Sequence, residues 1–461
     1  MSRTLKLGGA LVALTLTLAA CAGPTATQTP GPTSTVAPSA TVAPSATAIP
    51  SEVATPTTAP TGGASPTPTA SPTLPPAASE GTLTIWADAT RAPVFTQVAQ
   101  AFTAQYNVPV QVYEIGFGQI RDGLIQNGPA GEGPDIIIGA SDWLGKLVTA
   151  GVLEPIDLGD KATSFEQSGL DAFTYQGADG TAHLYGLPYV SEAIALYYNK
   201  DLVPTPPATW DELKQTALDL QSAGTVTQAF CMQRGDPYHT EPILTGFGGY
   251  VFGTNADGSY NPEDLGLDSA GGLAYAEELD AMVKAGILVD NVDYGACASQ
   301  MENATTPGSA MWITGPWELN NFITSGINYG VAPIPQMAGQ PRPFVGVQGM
   351  MVSSFGPNKE IAKAFLTEYI ATDETMQSLW EADKRIPTWK PVEATVMAEN
   401  ADLAAFADSA ANGNPLPAIP QMDSVWTAWT NAINLIFAQS GDPDQAITDA
   451  ATQIRDLISG S

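Results

Sequence analysis

From residue 82 onward the chain alternates short apolar runs with amphipathic stretches. Residues 82–86 predict a strand, and 92–106 a helix with Val94, Val98 and Phe102 four apart on one face. Val108, Val110 and Val112 alternate with Pro109 and Gln111, the pattern of a half-buried strand. A second helix leads to Gly133-Pro134-Asp135 and an all-isoleucine strand at 136–138. Strand, helix, strand, helix, strand implies a mostly parallel sheet with right-handed crossovers. Ligands of such sheets sit beyond the carboxyl ends of the strands, which puts 88–91 and 139–143 at a binding edge. Farther on, 193–198 reads as a strand, and Thr209 with Glu212 forms a capping box for a helix ending near Gly224. Residues 255–258 (Asn-Ala-Asp-Gly) read as a hairpin turn, and 269–285 as a helix closed by Gly286. Further helices follow Asn358, Asp423 and Pro443. No 20–50-residue period repeats, so solenoids and propellers are excluded.

Upstream the pattern vanishes. Residues 22–79 are nearly all Pro, Thr, Ala, Ser and Gly with one acid, Glu52, too poor in large apolar side chains to pack and stiffened by proline. This is a stalk. Before it, Arg3 and Lys6 precede an apolar run from Leu7 to Ala20, a signal peptide too short to span a bilayer as an ordinary helix. Its end, Leu18-Ala19-Ala20-Cys21, resembles the lipobox of bacterial lipoproteins. That resemblance implies cleavage before Cys21, a diacylglycerol on its thiol, and a body anchored on the outer face of the cell membrane.

Charge and missing motifs narrow the chemistry. The 461 residues carry 47 acids against 17 Lys and Arg, a net charge of −30. Nucleic acid is excluded as a partner because phosphate binding needs clustered cations, whereas a neutral ligand is indifferent to the field. Only two histidines occur, His183 and His239, with no zinc-type spacing, no phosphate-binding glycine loop and no nucleophile elbow. No metal or cofactor is implied. Export leaves Cys231 and Cys297 in an oxidising setting, either bonded to each other or as two separate buried thiols.

Eleven short stretches in order carry a resemblance across the body. They are Leu83–Trp86, Gly131–Ile137, Glu192–Leu202, Pro206–Trp210, Asp236–Tyr238, Gly248–Tyr250, Gly315–Trp317, Asn328–Val331, Pro343–Val347, Pro357–Glu360, and Pro417–Met422 followed by Trp426. The chain resembles maltose/maltodextrin-binding proteins among the extracellular solute-binding proteins of ABC sugar importers. The resemblance implies an α/β, two-lobe periplasmic-binding-protein fold of type II. Each lobe is a mixed, mostly parallel sheet flanked by helices, and a multi-crossover hinge joins them. The expected lobes are 81–191 with 348–396, and 192–347 with 397–461.

It also implies a monomer that captures an oligosaccharide by cleft closure and hands it to the importer's permease subunits, without catalysis. Carried over residue by residue, the sugar contacts are Asp88, Thr90 and Arg91 after the first strand, Asp122 and Asp142 in the first lobe, and Glu192 at the hinge. Asp236 stands where the family usually has Glu, and Tyr238, Tyr294, Trp317 and Trp426 occupy stacking positions. Plain alternatives exist: Asp142 and Thr90 as helix caps, and the aromatic residues as core. The chain departs from the family at Gly139, where an aromatic is replaced, at Trp143 and Thr430, which replace Arg, and at His239, which often is Phe. An aromatic face shifted from 139 to 143 adds Trp143 and His239 to the contacts. These departures leave the preferred sugar open. Two other readings remain: a binding protein for another solute such as a peptide or polyamine, and a two-carboxylate glycoside hydrolase using Glu192 and Asp236.

Overall fold

The computed structural model describes residues 78–256 and 258–460. The signal peptide, the lipobox with Cys21 and nearly all of the stalk lie outside the described residues. The packed chain begins slightly before residue 81. Asn358 donates from Nδ2 to the carbonyls of Ser79 (2.9 Å) and Thr82 (3.0 Å), and Ala78 N donates to Gly133 O.

The first sheet is built around Leu83–Ala87, which is buried along its whole length. Val110–Glu114 and Ile136–Ala140 flank it in parallel register. Ala92–Tyr106 connects the first two strands, turning Val94, Phe95, Val98 and Phe102 into the core and ending at Asn107 in the left-handed conformation. The long strand Phe344–Ser353 then adds antiparallel to Ile136–Ala140, followed by Gly186–Glu192 and, at the edge, Ile386–Pro387. Asp135 ties this seam, accepting from Thr84 N at 2.9 Å and from Asn358 N and Nδ2 at 3.0 Å each.

The second sheet has the order Tyr329–Ala332, Ala195–Asn199, Met311–Thr314, Phe230–Cys231. Its core gathers Trp210, Phe230, Tyr275 and Trp429 beneath the helices Trp210–Ser222, Ala270–Lys284, Asp423–Phe437 and Pro443–Ser459. Thr209 and Glu212 close the expected capping box. Phe252–Thr254 pairs antiparallel with Tyr260–Leu265, and Gly258 between them has a φ of 86°; Asp257 of the expected turn lies outside the described residues.

These are two α/β lobes. The chain leaves the first at Glu192, enters the second at Ala195 and returns along Phe344–Ser353. Parallel pairing holds for the strands joined by helices. The strand that returns from the other lobe runs antiparallel to both its neighbours, Ile136–Ala140 and Gly186–Glu192, so the first sheet is mixed. A strand that arrives through a hinge has no crossover helix to fix its direction.

Cys231 ends a strand of the second sheet and Cys297 sits in the helix Tyr294–Met301. The structure joins them in a disulfide, with Cα atoms 5.6 Å apart and 66 residues of sequence separation. Closing a loop of that size restricts the unfolded chain, for a gain of roughly 2–4 kcal/mol. Replacing both cysteines by serine is expected to lower the urea unfolding free energy by about that amount. The denatured, unreduced native chain is expected to show no titratable thiol at these two positions.

Candidate functional site

A cavity of about 750 Å³ lies between residues carried by the two sheets. One wall starts in the loop after Leu83–Ala87. There Asp88 Oδ1 accepts from Thr90 N (2.9 Å) and Thr90 Oγ1 (2.7 Å), and Asp88 Oδ2 pairs with the Arg91 guanidinium. Arg91 Nε also donates to Tyr189 Oη at 3.2 Å. Glu192, at the end of Gly186–Glu192, accepts at Oε1 from Gln348 Nε2 (2.7 Å) and faces Arg385 Nη1 at 3.3 Å. Arg385, 2% exposed, also reaches Thr90 Oγ1 (3.2 Å) and Asp383 Oδ1 (3.1 Å).

Three carboxylates and two guanidiniums are thus buried together. Removing either partner of such a pair strands a charge away from water. Burial raises the Asp88 carboxyl, but Arg91 and Thr90 outweigh it and hold the group below the usual carboxylate range. For Asp383 burial wins over Arg385, and its pKa is raised. The pairing is incomplete: Glu192 Oε2, Arg385 Nη1 and Nε, Asp383 Oδ2 and Gln348 Oε1 lack an aligned hydrogen-bond partner.

The opposite wall comes from the second lobe. Asp236 caps the helix Pro237–Gly246, accepting from His239 N at 3.1 Å, with His239 Nδ1 2.8 Å from its Oδ2. Burial opposes its ionisation, but His239 and Gln233 outweigh that and bring it down to about 2. Tyr238 Oη and both His239 ring nitrogens are buried without an aligned partner. Tyr294 opens its helix and gathers Glu318 and the Trp317 indole on its hydroxyl. Trp317 lies over Gly315, where an added Cβ would meet its ring at 2.1 Å. Arg385 faces Trp317 at 5.8 Å from the ring centroid.

Asp142 and Trp143 form the short turn Ser141–Trp143 after Ile136–Ala140. A Cβ at Gly139 would stand 2.1 Å from the Trp143 ring, so that glycine leaves the room the indole fills. Phe117 tilts against Trp143 at 4.5 Å, and the Arg91 guanidinium lies 5.3 Å above Phe117. Asp142 is pushed up to about 6 by burial, partly offset by Arg121 and by a hydrogen bond with the Trp426 side chain.

Every expected contact except Asp122 lines the cavity. Asp122 does not line it. On Phe117–Asn127 its side chain is 45% exposed, bound to Arg121 Nε (2.9 Å) and near Lys146 Nζ (3.5 Å), while its neighbour Arg121 lines the space. Arg385, Gln348, Phe117, Arg121 and Glu318 also line it and were not expected. Asp383-Lys384-Arg385 reads as a solvated charge run; the short strand Ile386–Pro387, docked on Gly186–Glu192, is what draws Arg385 inward. Among the described residues no group of three or more His, Cys, Asp or Glu could hold a metal ion.

A two-lobe α/β body with a polar, ring-lined cavity between its sheets is the build of a binding protein, and the chain belongs to the bacterial extracellular solute-binding proteins, whose family pattern matches residues 97–441. It is similar to the galactooligosaccharide-binding protein of Bacillus subtilis (strain 168), at 29% identity over 83% of this chain and 91% of that one. The maltodextrin-binding protein MdxE of the same organism is 30% identical over 83% of this chain and 92% of its own length. A maltooligosaccharide ABC transporter solute-binding lipoprotein of Streptococcus pneumoniae is 29% identical over 82% of this chain and 88% of its own.

The shift at Asp142 has a testable sign. The folded carboxyl holds its proton more tightly than the unfolded one. Its contribution to stability therefore falls as pH rises from about 4 to about 6. Asp142→Asn is expected to flatten that part of the urea-stability profile and to be more stable at pH 7 by on the order of 1–2 kcal/mol.

Proposed function

We propose that this protein binds a neutral oligosaccharide of the maltodextrin type between its lobes and delivers it to an ABC importer. It acts as a monomer, lipid-anchored through Cys21 at the outer face of the membrane. In this reading the lobes are 81–191 with 348–396, and 192–347 with 397–461, starting a few residues earlier at the packed N-terminus. The observation that carries it is the pairing of unsatisfied polar groups with flat rings in one cavity. Tyr238 Oη and His239 Nε2 lack aligned partners, and the Glu192–Arg385 ion pair is unaligned at 3.3 Å, beside Trp317, Trp426 and Trp143.

A sugar offers both counterparts. Its hydroxyls donate and accept around each ring, and its C–H faces cover indoles. Hydrogen bonds to charged groups are worth roughly 1.5–3 kcal/mol each. Closing the lobes without such a ligand leaves those groups dry and unpaired, so binding and closure support each other. The relatives named for maltodextrin and maltooligosaccharide support the glucoside class, and the one named for galactooligosaccharide supports a galactoside as the competing ligand. In the hydrolytic alternative Asp236, at about 2, would be the ionised nucleophile or base, and the acid role would fall to Glu192.

Calorimetry with maltotriose, a cyclodextrin and a galactooligosaccharide tests the reading. At least one is expected to bind in the micromolar range or tighter, and silence for all three contradicts it. Trp317→Ala or Glu192→Gln is expected to weaken the binding sugar about 10- to 100-fold, from the roughly 1–3 kcal/mol of one stacked ring or one charged hydrogen bond.

A further inference from the structure

At the edge of the cavity the two lobes are joined by an ion cluster centred on Asp423, which is not among the lining residues. Asp423 is the first residue of Asp423–Phe437, whose Val425, Ala428 and Trp429 belong to the second lobe's core. Its Oδ1 lies 2.6 Å from Arg121 Nη1 and its Oδ2 2.7 Å from Lys146 Nζ. Both cations come from the first lobe. Arg121 is on Phe117–Asn127 and Lys146 on Leu144–Thr149, helices whose Ile120, Leu124, Leu144 and Leu147 pack with Trp86 and Ile137 of the first sheet. The backbones also meet here: a Cβ on Gly145 would stand 2.6 Å from Ala418 O and from Pro420 Cδ.

The three side chains are partly shielded, at 15% exposure for Arg121, 33% for Lys146 and 32% for Asp423. Asp122 adds a second acid on the first-lobe side, which fixes Arg121 and Lys146 as a pre-set pair of cations. We infer that Arg121, Lys146 and Asp423 form an ionic clasp between the lobes, and that Asp423 is a positioning residue that raises ligand affinity by favouring closure without contacting the ligand. The inference rests on the cleft-closure reading of function.

The clasp gives a sign opposite to that of the molecule's overall charge. A body with a net charge of −30 repels itself, so salt alone should ease closure and tighten binding of a neutral ligand. An ion pair across the lobes is weakened as the Debye length shrinks from about 10 Å at 0.1 M to about 3 Å at 1 M salt. Two partly shielded pairs of roughly 0.2–1 kcal/mol each correspond to about a two- to thirtyfold change in affinity.

The test uses maltotriose as the calorimetric probe for the full chain and its Asp423→Asn, Asp423→Glu and Asp423→Lys variants, from 0.05 to 1 M NaCl. Native protein is expected to bind several-fold more weakly at high salt. Asp423→Asn should bind with the high-salt affinity throughout, Asp423→Glu should keep the native salt slope, and Asp423→Lys should be weakest at low salt. All variants should unfold at the native temperature. Small-angle scattering of the sugar-free chain separates failure of the clasp from failure of the sugar reading. Asp423→Lys is expected to enlarge the radius of gyration at low salt even if maltotriose is not the ligand. An unchanged radius, or an Asp423→Asn variant with native affinity and native salt slope, overturns the clasp.

Discussion

The structure turns on a knot of buried charge where the chain first crosses between lobes. Asp88, Arg91, Glu192, Asp383 and Arg385 come from three separate segments and meet beside the cavity. None could sit there alone, since an unpaired buried ion costs several kcal/mol. Each segment is therefore held by what the others need. The loop after the first strand, the hinge end of Gly186–Glu192 and the edge strand Ile386–Pro387 are fixed relative to one another by this exchange of charge. The knot is not fully satisfied: several of its buried atoms lack an aligned hydrogen-bond partner, and Asp88, Arg91, Glu192 and Arg385 also line the cavity. A site arranged this way needs little reorganisation when a polyol arrives, which is how preorganised sites gain affinity.

Both walls also carry flat rings. Trp317 and Trp143 each lie over a glycine, Gly315 and Gly139, whose missing side chain leaves room for an indole. Tyr294, Glu318 and Trp317 lock one ring edge by hydrogen bonds, and the disulfide from Cys231 to Cys297 anchors the Tyr294 helix to the second sheet. Rigid rings and incompletely paired ions from both lobes line the cleft, which on the proposed reading suits a neutral molecule with alternating polar and apolar faces. The acidity of the chain does not bear on such a ligand, which carries no charge for the field to act on.

Much of this was legible in the sequence. Periodicity placed the strands around residues 83–87 and 136–140 and the helix 92–106, because their apolar faces follow one period throughout. The loop ends carrying Asp88, Arg91 and Asp142 followed from the rule that parallel strands present ligands at their carboxyl ends. What was hidden is non-local. Arg385 reads as part of a charged surface run until the edge strand folds it inward. Asp122 and Arg121 are adjacent, and one step of helix rotation decides which of them faces the cavity. Antiparallel pairing of Phe344–Ser353 depends on a return from the other lobe, more than a hundred residues after the strands it joins.

The most direct measurement is a crystal structure of the protein grown with a saturating oligosaccharide. The account predicts sugar rings against Trp317 and Trp426, and hydroxyls in hydrogen-bond contact with Glu192 and Arg385 between closed lobes. A bound sugar elsewhere on the surface, with those four side chains turned away from it, would contradict the account.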